Sequence, residues 1–212
     1  MARRWSATVN SMPAELALFP LQAVLFPGGK LGLKVFEARY LDLIGRCLRE
    51  QQPFGVIALR RGAEVRGGAE PVVLEEVGCL AQLDEVDSPT PGILQVQGHG
   101  TQRFRALQPR QQSNGLWVAD AEWLADDAVL APPDALHGTV QGLQAAIATL
   151  QAQGHAPFLE PYRFEDAGWL ANRWCEILPI PLAAKQQLMA LTDPLVRLQL
   201  VDEFLRGKGV VA

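Results

Sequence analysis

Several common chemistries are missing from this sequence of 212 residues. Cysteine is rare and odd in number: Cys47, Cys79 and Cys175 are far apart and form no C-x-x-C. That argues against a disulfide framework and against zinc, and it suits a reducing cytoplasm. There are only four lysines (Lys30, Lys34, Lys185, Lys208), and none follows a G-x-x-x-x-G-K-[ST] loop, so no phosphate cradle is present. No apolar run approaches the roughly 20 residues of a membrane span. The twin arginine Arg3-Arg4 is not followed by an apolar stretch, so no secretory signal and no membrane partner are expected.

Charge is equally undramatic. The net charge is −4, with residues 1–125 carrying 13 basic and 13 acidic residues and residues 126–212 carrying 6 and 10. A nucleic-acid binder usually has a basic half, and neither half is basic. Hydrophobic residues make up 49% of the chain, enough to bury a real core.

Grouped catalytic residues are also lacking. No G-x-S-x-G elbow occurs, and Ser6, Ser11, Ser88 and Ser113 fall in tails or turns. His99, His137 and His155 have no metal-ligand spacing, so no metal and no cofactor are expected. The acid pairs Glu75-Glu76, Asp84-Glu85 and Asp126-Asp127 are poorly placed to cooperate, because adjacent strand residues face opposite ways. Gly98-His99-Gly100 lacks the third glycine and following helix of a nucleotide loop. Arg60, Arg61 and Arg66 read as a solvated loop.

What is present divides into two periods. Short apolar runs punctuated by Pro and Gly predict strands at Leu16–Phe19, stopped by Pro20, at Val24–Phe26, and at 31–36 and 54–59. Longer strands are predicted from Val72 to Val86, with a bulge at Gly78, and at 93–97 and 104–107 about the bend at Gly98 and Gly100. Asn114-Gly115 turns the chain into a hairpin partner at 116–124. One helix interrupts this half: Tyr40, Leu43, Ile44, Cys47 and Leu48 form a single stripe between Glu37 and Glu50.

Beyond Pro132-Pro133 the period is helical. Leu136, Val140, Leu143, Ile147 and Leu150 form one face, with Asp134 as cap and Gly154 as stop. Further helices are predicted at 165–178, from Pro181 to Leu191, and from Asp193 as N-cap with Pro194 in the first turn to Gly207. The expected fold is therefore α+β: a bent β part over residues 1–125 with one inserted helix, then a helical bundle over 126–212.

The junction 31–40 is distinctive, because an apolar strand runs straight into a helix whose first turn carries Glu37, Arg39 and Tyr40. The structural expectation is that Glu37 pairs with Arg39 and that Phe36 and Tyr40 fill the core.

Leu18-Phe19-Pro20-Leu21, Leu25-Phe26-Pro27-Gly28, Val35-Phe36-Glu37-Ala38-Arg39-Tyr40 and Phe54-Gly55-Val56 occur in order. Val77-Gly78-Cys79, Gly100-Thr101-Gln102-Arg103-Phe104, Leu170-Ala171-Asn172-Arg173, Leu178-Pro179-Ile180-Pro181-Leu182 and Asp193-Pro194-Leu195 follow. As an ordered set they resemble the Lon protease N-terminal (substrate-binding) domain family over nearly the whole chain. The resemblance implies a PUA-like pseudo-barrel followed by a helical bundle, and a role in holding unfolded or tagged polypeptides, with a protease or chaperone as further partner. The ATPase and Ser–Lys protease parts of full-length Lon lie downstream, so a chain ending at Ala212 is expected to be a stand-alone, non-catalytic form. No family catalytic residue transfers. Phe36, Glu37, Arg39, Tyr40 and Arg103 are the candidate peptide-binding residues, with the proline-broken strands and a groove between barrel and bundle as candidate places. A small-molecule regulator using the barrel or that groove is the alternative. Weak self-association is left open.

Overall fold

The computed structural model describes residues 15–62, 64 and 71–211; the Arg3-Arg4 tail and the loop segment holding Arg66, Gly67 and Gly68 lie outside the described residues. The elements are β1 (Glu15–Leu21), β2 (Lys30–Val35), α1 (Ala38–Glu50), β3 (Phe54–Arg61), β4 (Val73–Thr90), β5 (Ile93–Gln111) and β6 (Trp117–Trp123). A 3₁₀ turn (Asp134–Leu136) then leads to α2 (His137–Ala152), α3 (Ala167–Ile177), α4 (Leu182–Ala190) and α5 (Pro194–Gly207). Strands thus precede helices, with α1 inserted, which is the expected α+β order.

The sheet order is β2-β5-β4-β3-β1-β6, and β5 also pairs with β6. The pairing β1-β3-β4-β5-β6 therefore closes on itself as a ring, and β2 hangs outside it as an edge strand. β5 manages both duties because it is long: residues 94–99 pair with β2, while 104–111 pair with β6. The two runs expected at 93–97 and 104–107 are this one strand, bent through Gly98 and Gly100. A Cβ at Gly100 would sit 2.2 Å from the Phe26 carbonyl oxygen, so the bend brings main chain against main chain.

Alternation sorts the strand residues into two packed layers. Ala17, Phe19 and Leu21 of β1 pack with Tyr40, Leu43, Ile44 and Cys47 of α1. Leu16 and Leu18 pack with Ile57, Leu80, Phe104 and Ala119 on the other face. β1 is apolar on both faces because both are buried. Pro20 does not stop β1 as expected; it lies within the strand opposite Ile57. The reason is local, since β6 pairs only with Glu15–Leu18, leaving Pro20 one unpaired side for its missing N–H. The strand expected at Val24–Phe26 does not form, because nothing pairs with it. Asp134 does not cap α2 but opens the 3₁₀ turn before it, whereas Asp166 and Asp193 cap α3 and α5 through their carboxylates.

Gly78 is where β4 breaks register against β3, between the pairs at Ile57 and Leu59. A Cβ there would lie 2.5 Å from both Phe104 Cζ and the Val56 carbonyl oxygen. The glycine makes room for the Phe104 ring, which is fully buried.

We propose 125/126 as the boundary between a strand subdomain and a helical subdomain. Buried arginines rivet the two. Arg103 of β5, 3% exposed, donates to the carbonyls of Met189 (3.0 Å) and Leu191 (2.6 Å) and to Asp127 Oδ1 (2.6 Å). Arg197 of α5, 1% exposed, donates to Asp127 Oδ2 at 2.6 Å and to Asn172 Oδ1 at 3.0 Å. One carboxylate thus neutralises two buried cations. Burial pulls the Arg103 guanidinium below its ordinary range, and Asp127 pushes back. Gln186 of α4 adds a bond to the Val77 carbonyl at 2.8 Å.

Arg173 of α3 makes a second rivet, donating to the carbonyls of Pro27 (2.8 Å) and Gly28. It pairs with Glu176 at 2.9 Å. A Cβ on Gly29 would strike Glu176 Oε1 at 2.2 Å, so this loop is seated directly on the carboxyl group. Burial pushes the Glu176 carboxyl from 4.5 up to about 7, against the opposing pull of Arg173 and Lys185.

Three outcomes are expected. Gly78→Ala should cost about 1–3 kcal/mol in chemical denaturation, and Phe104→Leu should cost less in its presence than alone, by double-mutant cycle. Asp127→Asn should cost about 3–5 kcal/mol, because two desolvated cations lose their countercharge; a loss under about 1 kcal/mol would contradict the rivet. For Glu176, the folded protein holds the proton more tightly than the unfolded chain does. Its stabilisation is therefore complete below pH 4.5 and is lost as pH rises through about 7. Glu176→Gln should flatten stability against pH across that window.

Candidate functional site

The junction between β2 and α1 lies on a groove. The groove has a volume of about 380 Å³. One wall is β2 itself, from Lys30 to Val35; the other is the unpaired segment Ala23, Val24 and Leu25. Phe19, Leu21 and Tyr40 form an apolar base, and Phe36, Glu37 and Glu64 stand at one end.

The end is built by α1. Val35 is the last strand residue, and Glu37 occupies the N-cap position of the helix with extended backbone, without a side-chain capping bond. Its carboxylate instead pairs with Arg39 at 3.0 Å. Arg39 is buried and donates to the Gly115 carbonyl at 2.7 Å and to the Glu64 carbonyl at 3.3 Å. Its guanidinium lies 4.5 Å from the Tyr40 ring centre, and Tyr40 stacks on Phe19 at 4.1 Å and 20°. Burial pushes the Tyr40 phenol up to about 12, with Arg39 opposing, so it stays protonated at neutral pH. The stack is worth about 0.5–1.5 kcal/mol beyond area burial.

The structural expectation for this junction is met by Glu37, Arg39 and Tyr40. Phe36 departs from it. Its side chain is 54% exposed and does not fill the core, because it falls between the end of β2 and the N-cap, where neither a sheet face nor a helix face turns it inward. Arg103 lies elsewhere, with its side chain occupied by Asp127 and main-chain carbonyls. Between strands and helices, Phe26 and Val77 pack with Leu170, Ala171, Trp174 and Met189. The groove beside β2 touches the helical part at one side, where Val24 packs on the helical cluster and Lys30 donates to the Ala156 carbonyl.

The proline-broken run Val24–Phe26 is among the candidate places; Val24 and Leu25 line the groove, but as a segment outside any strand. Sequence reasoning missed the pair of His99 with Asp84 at 2.9 Å, which only the β4–β5 register brings together. Among the described residues no group of three His, Cys, Asp or Glu could hold a metal. Also among them, no helix is long and apolar enough to cross a membrane.

Comparison with known proteins gives this geometry its context. Residues 15–207 match the family model of the ATP-dependent protease La (LON) substrate-binding domain. The chain is 29% identical over 203 residues to Lon protease of Anaeromyxobacter dehalogenans, covering 94% of this chain and 24% of that protein. It is 28% identical over 210 residues to Lon protease of Paraburkholderia phytofirmans, covering 96% and 26%. The chain therefore spans about a quarter of the length of the curated relatives it matches. Among solved structures, it is similar to a Lon N-terminal domain protein from Xanthomonas campestris, with a TM-score of 0.72 and 29% identity over 88% of this chain and 96% of that one. The N-terminal domain of Mycobacterium avium complex Lon protease shares the fold, with a TM-score of 0.55 and 12% identity over 91% and 98%. Since the matched stretch takes in the strand ring, the groove and the helices that brace it, the chain belongs to the LON substrate-binding domain family.

Proposed function

We propose that this chain is a non-catalytic polypeptide-binding module that takes unfolded or tagged segments into the groove beside β2 and presents them to a protease or chaperone in protein quality control. The observation that carries the reading is Phe36: a large aromatic, more than half exposed, at the end of an apolar groove. Exposed aromatics set in such a surface are the usual anchors of protein recognition. Leu31, Leu33, Leu21 and Val24 extend the apolar contact, and the Glu37–Arg39 pair supplies a polar rim.

The candidate residues take different parts in this reading. Phe36 touches the client, and Glu37 offers it an acceptor. Arg39 and Tyr40 are positioning residues, because both are buried and fix the start of α1 beneath Phe36. Arg103 holds the strand and helix parts together at a distance from the groove. A cytoplasmic location belongs to the same proposal, supported by three unpaired and buried cysteines.

The test is fluorescence anisotropy with a reduced, alkylated and permanently unfolded test protein. Saturable binding is expected, weakened about fivefold to tenfold by Phe36→Ala with no change in melting temperature. Absence of saturable binding, or a Phe36→Ala variant that binds as tightly as the parent, would overturn the reading.

A further inference from the structure

We infer that the polypeptide in this groove is held by strand addition, with an extended segment pairing its main chain to the outer edge of β2; the inference rests on the polypeptide-binding reading of the same groove. The parity of the lining residues carries it. All six residues of β2 line the groove, yet successive side chains of a strand point to opposite faces. A cavity touched by both sets runs along the strand's edge, where the main chain is. β2 is the terminal strand of the sheet and pairs only with β5 among the described residues. Alternate N–H and C=O groups of β2 therefore face the groove without a strand partner. Across from them, Ala23, Val24 and Leu25 belong to no strand. A Cβ added to Gly32, at mid-strand, would meet nothing within 4 Å.

Charge selects the occupant. Leu31, Leu33 and Val35 form one face of β2, and the exposed Lys30 and Lys34 flank Gly32 on the other. Two copies of this chain pairing antiparallel about Gly32 would set Lys30 of each against Lys34 of the other, and like charges directly opposite are destabilising. The edge thus disfavours its own copy. Lys30 donates to the Ala156 carbonyl and Lys34 stands free of any ion pair closer than 4.0 Å among the described residues, so both ammonium groups keep donors for a client. The fitting occupant is an extended segment of another polypeptide that alternates apolar with acidic residues, its carboxylates across from Lys30 and Lys34. At the Phe36 end the carboxylates of Glu37 and Glu64 disfavour an acidic client residue.

The experiment measures anisotropy of short labelled peptides alternating glutamate and leucine, with the full chain. Saturable binding is expected. N-methylation of one alternate set of peptide amides should weaken it about tenfold or more, and of the other set less than about twofold, because only one set faces β2. Replacing glutamate by lysine in the peptide should weaken binding, and the Lys30→Glu/Lys34→Glu double variant should reverse that preference, a result misfolding cannot produce. Equal affinities for both methylated peptides and their parent, or no binding of the parent peptide while the unfolded test protein still binds, would overturn strand addition and leave the groove reading intact. Loss of both peptide and test-protein binding would overturn the two together.

Discussion

Two buried guanidinium groups sharing one carboxylate hold this molecule in its shape. Arg103 projects from the bent strand β5 and Arg197 from the last helix, and both reach Asp127 in the connection between strands and helices. Moving a cation out of water is expensive unless its partners are fixed in place. Here they are fixed by carbonyl oxygens of Leu188, Met189 and Leu191, grouped at the C-terminal end of α4. The strand ring and the helices are consequently placed relative to one another by directional bonds and by the packing of Phe26 and Val77 against α3 and α4.

The groove inherits its form from that arrangement. Its outer wall, Ala23 to Leu25, has no strand partner of its own. Arg173 and Glu176 seat the adjoining Pro27-Gly28-Gly29 turn on α3, and the Gly28 N–H donates to the Gly100 carbonyl while the Gly100 N–H donates to the Gly29 carbonyl, which ties the turn to β5. On the inner side, Phe19, Tyr40 and Arg39 stack in sequence and set the start of α1. The helices therefore hold in place the wall that faces β2.

Local patterning made most elements legible. The stripe Tyr40, Leu43, Ile44, Cys47 marked α1, and Asp193-Pro194 marked the start of α5, because each signal depends on residues close in sequence. Pro20 misled because a proline's effect depends on whether the neighbouring strand still pairs there, which is a tertiary fact. Val24–Phe26 misled for the same reason: an apolar run has strand character, but a strand also needs a partner. At the candidate site, the motif from Val35 to Tyr40 marked the junction that stands at the groove. The side chains it grouped nevertheless have unlike fates, with Tyr40 buried and Phe36 exposed, since the turn between β2 and α1 separates them. Arg103 stood out only through the resemblance carried by Gly100-Thr101-Gln102-Arg103-Phe104, and the fold reveals that its partners are Asp127 and the carbonyls at the end of α4.

We propose the open edge of β2 and its groove as the place where a polypeptide is held. Hydrogen exchange on the amides of Lys30–Val35, followed with and without a saturating unfolded test protein, addresses it most directly. Slowed exchange confined to β2 and the adjoining residues 23–25 and 36 is the expected result. Unchanged exchange along β2, with protection appearing on the helices α2–α5 instead, would contradict the account.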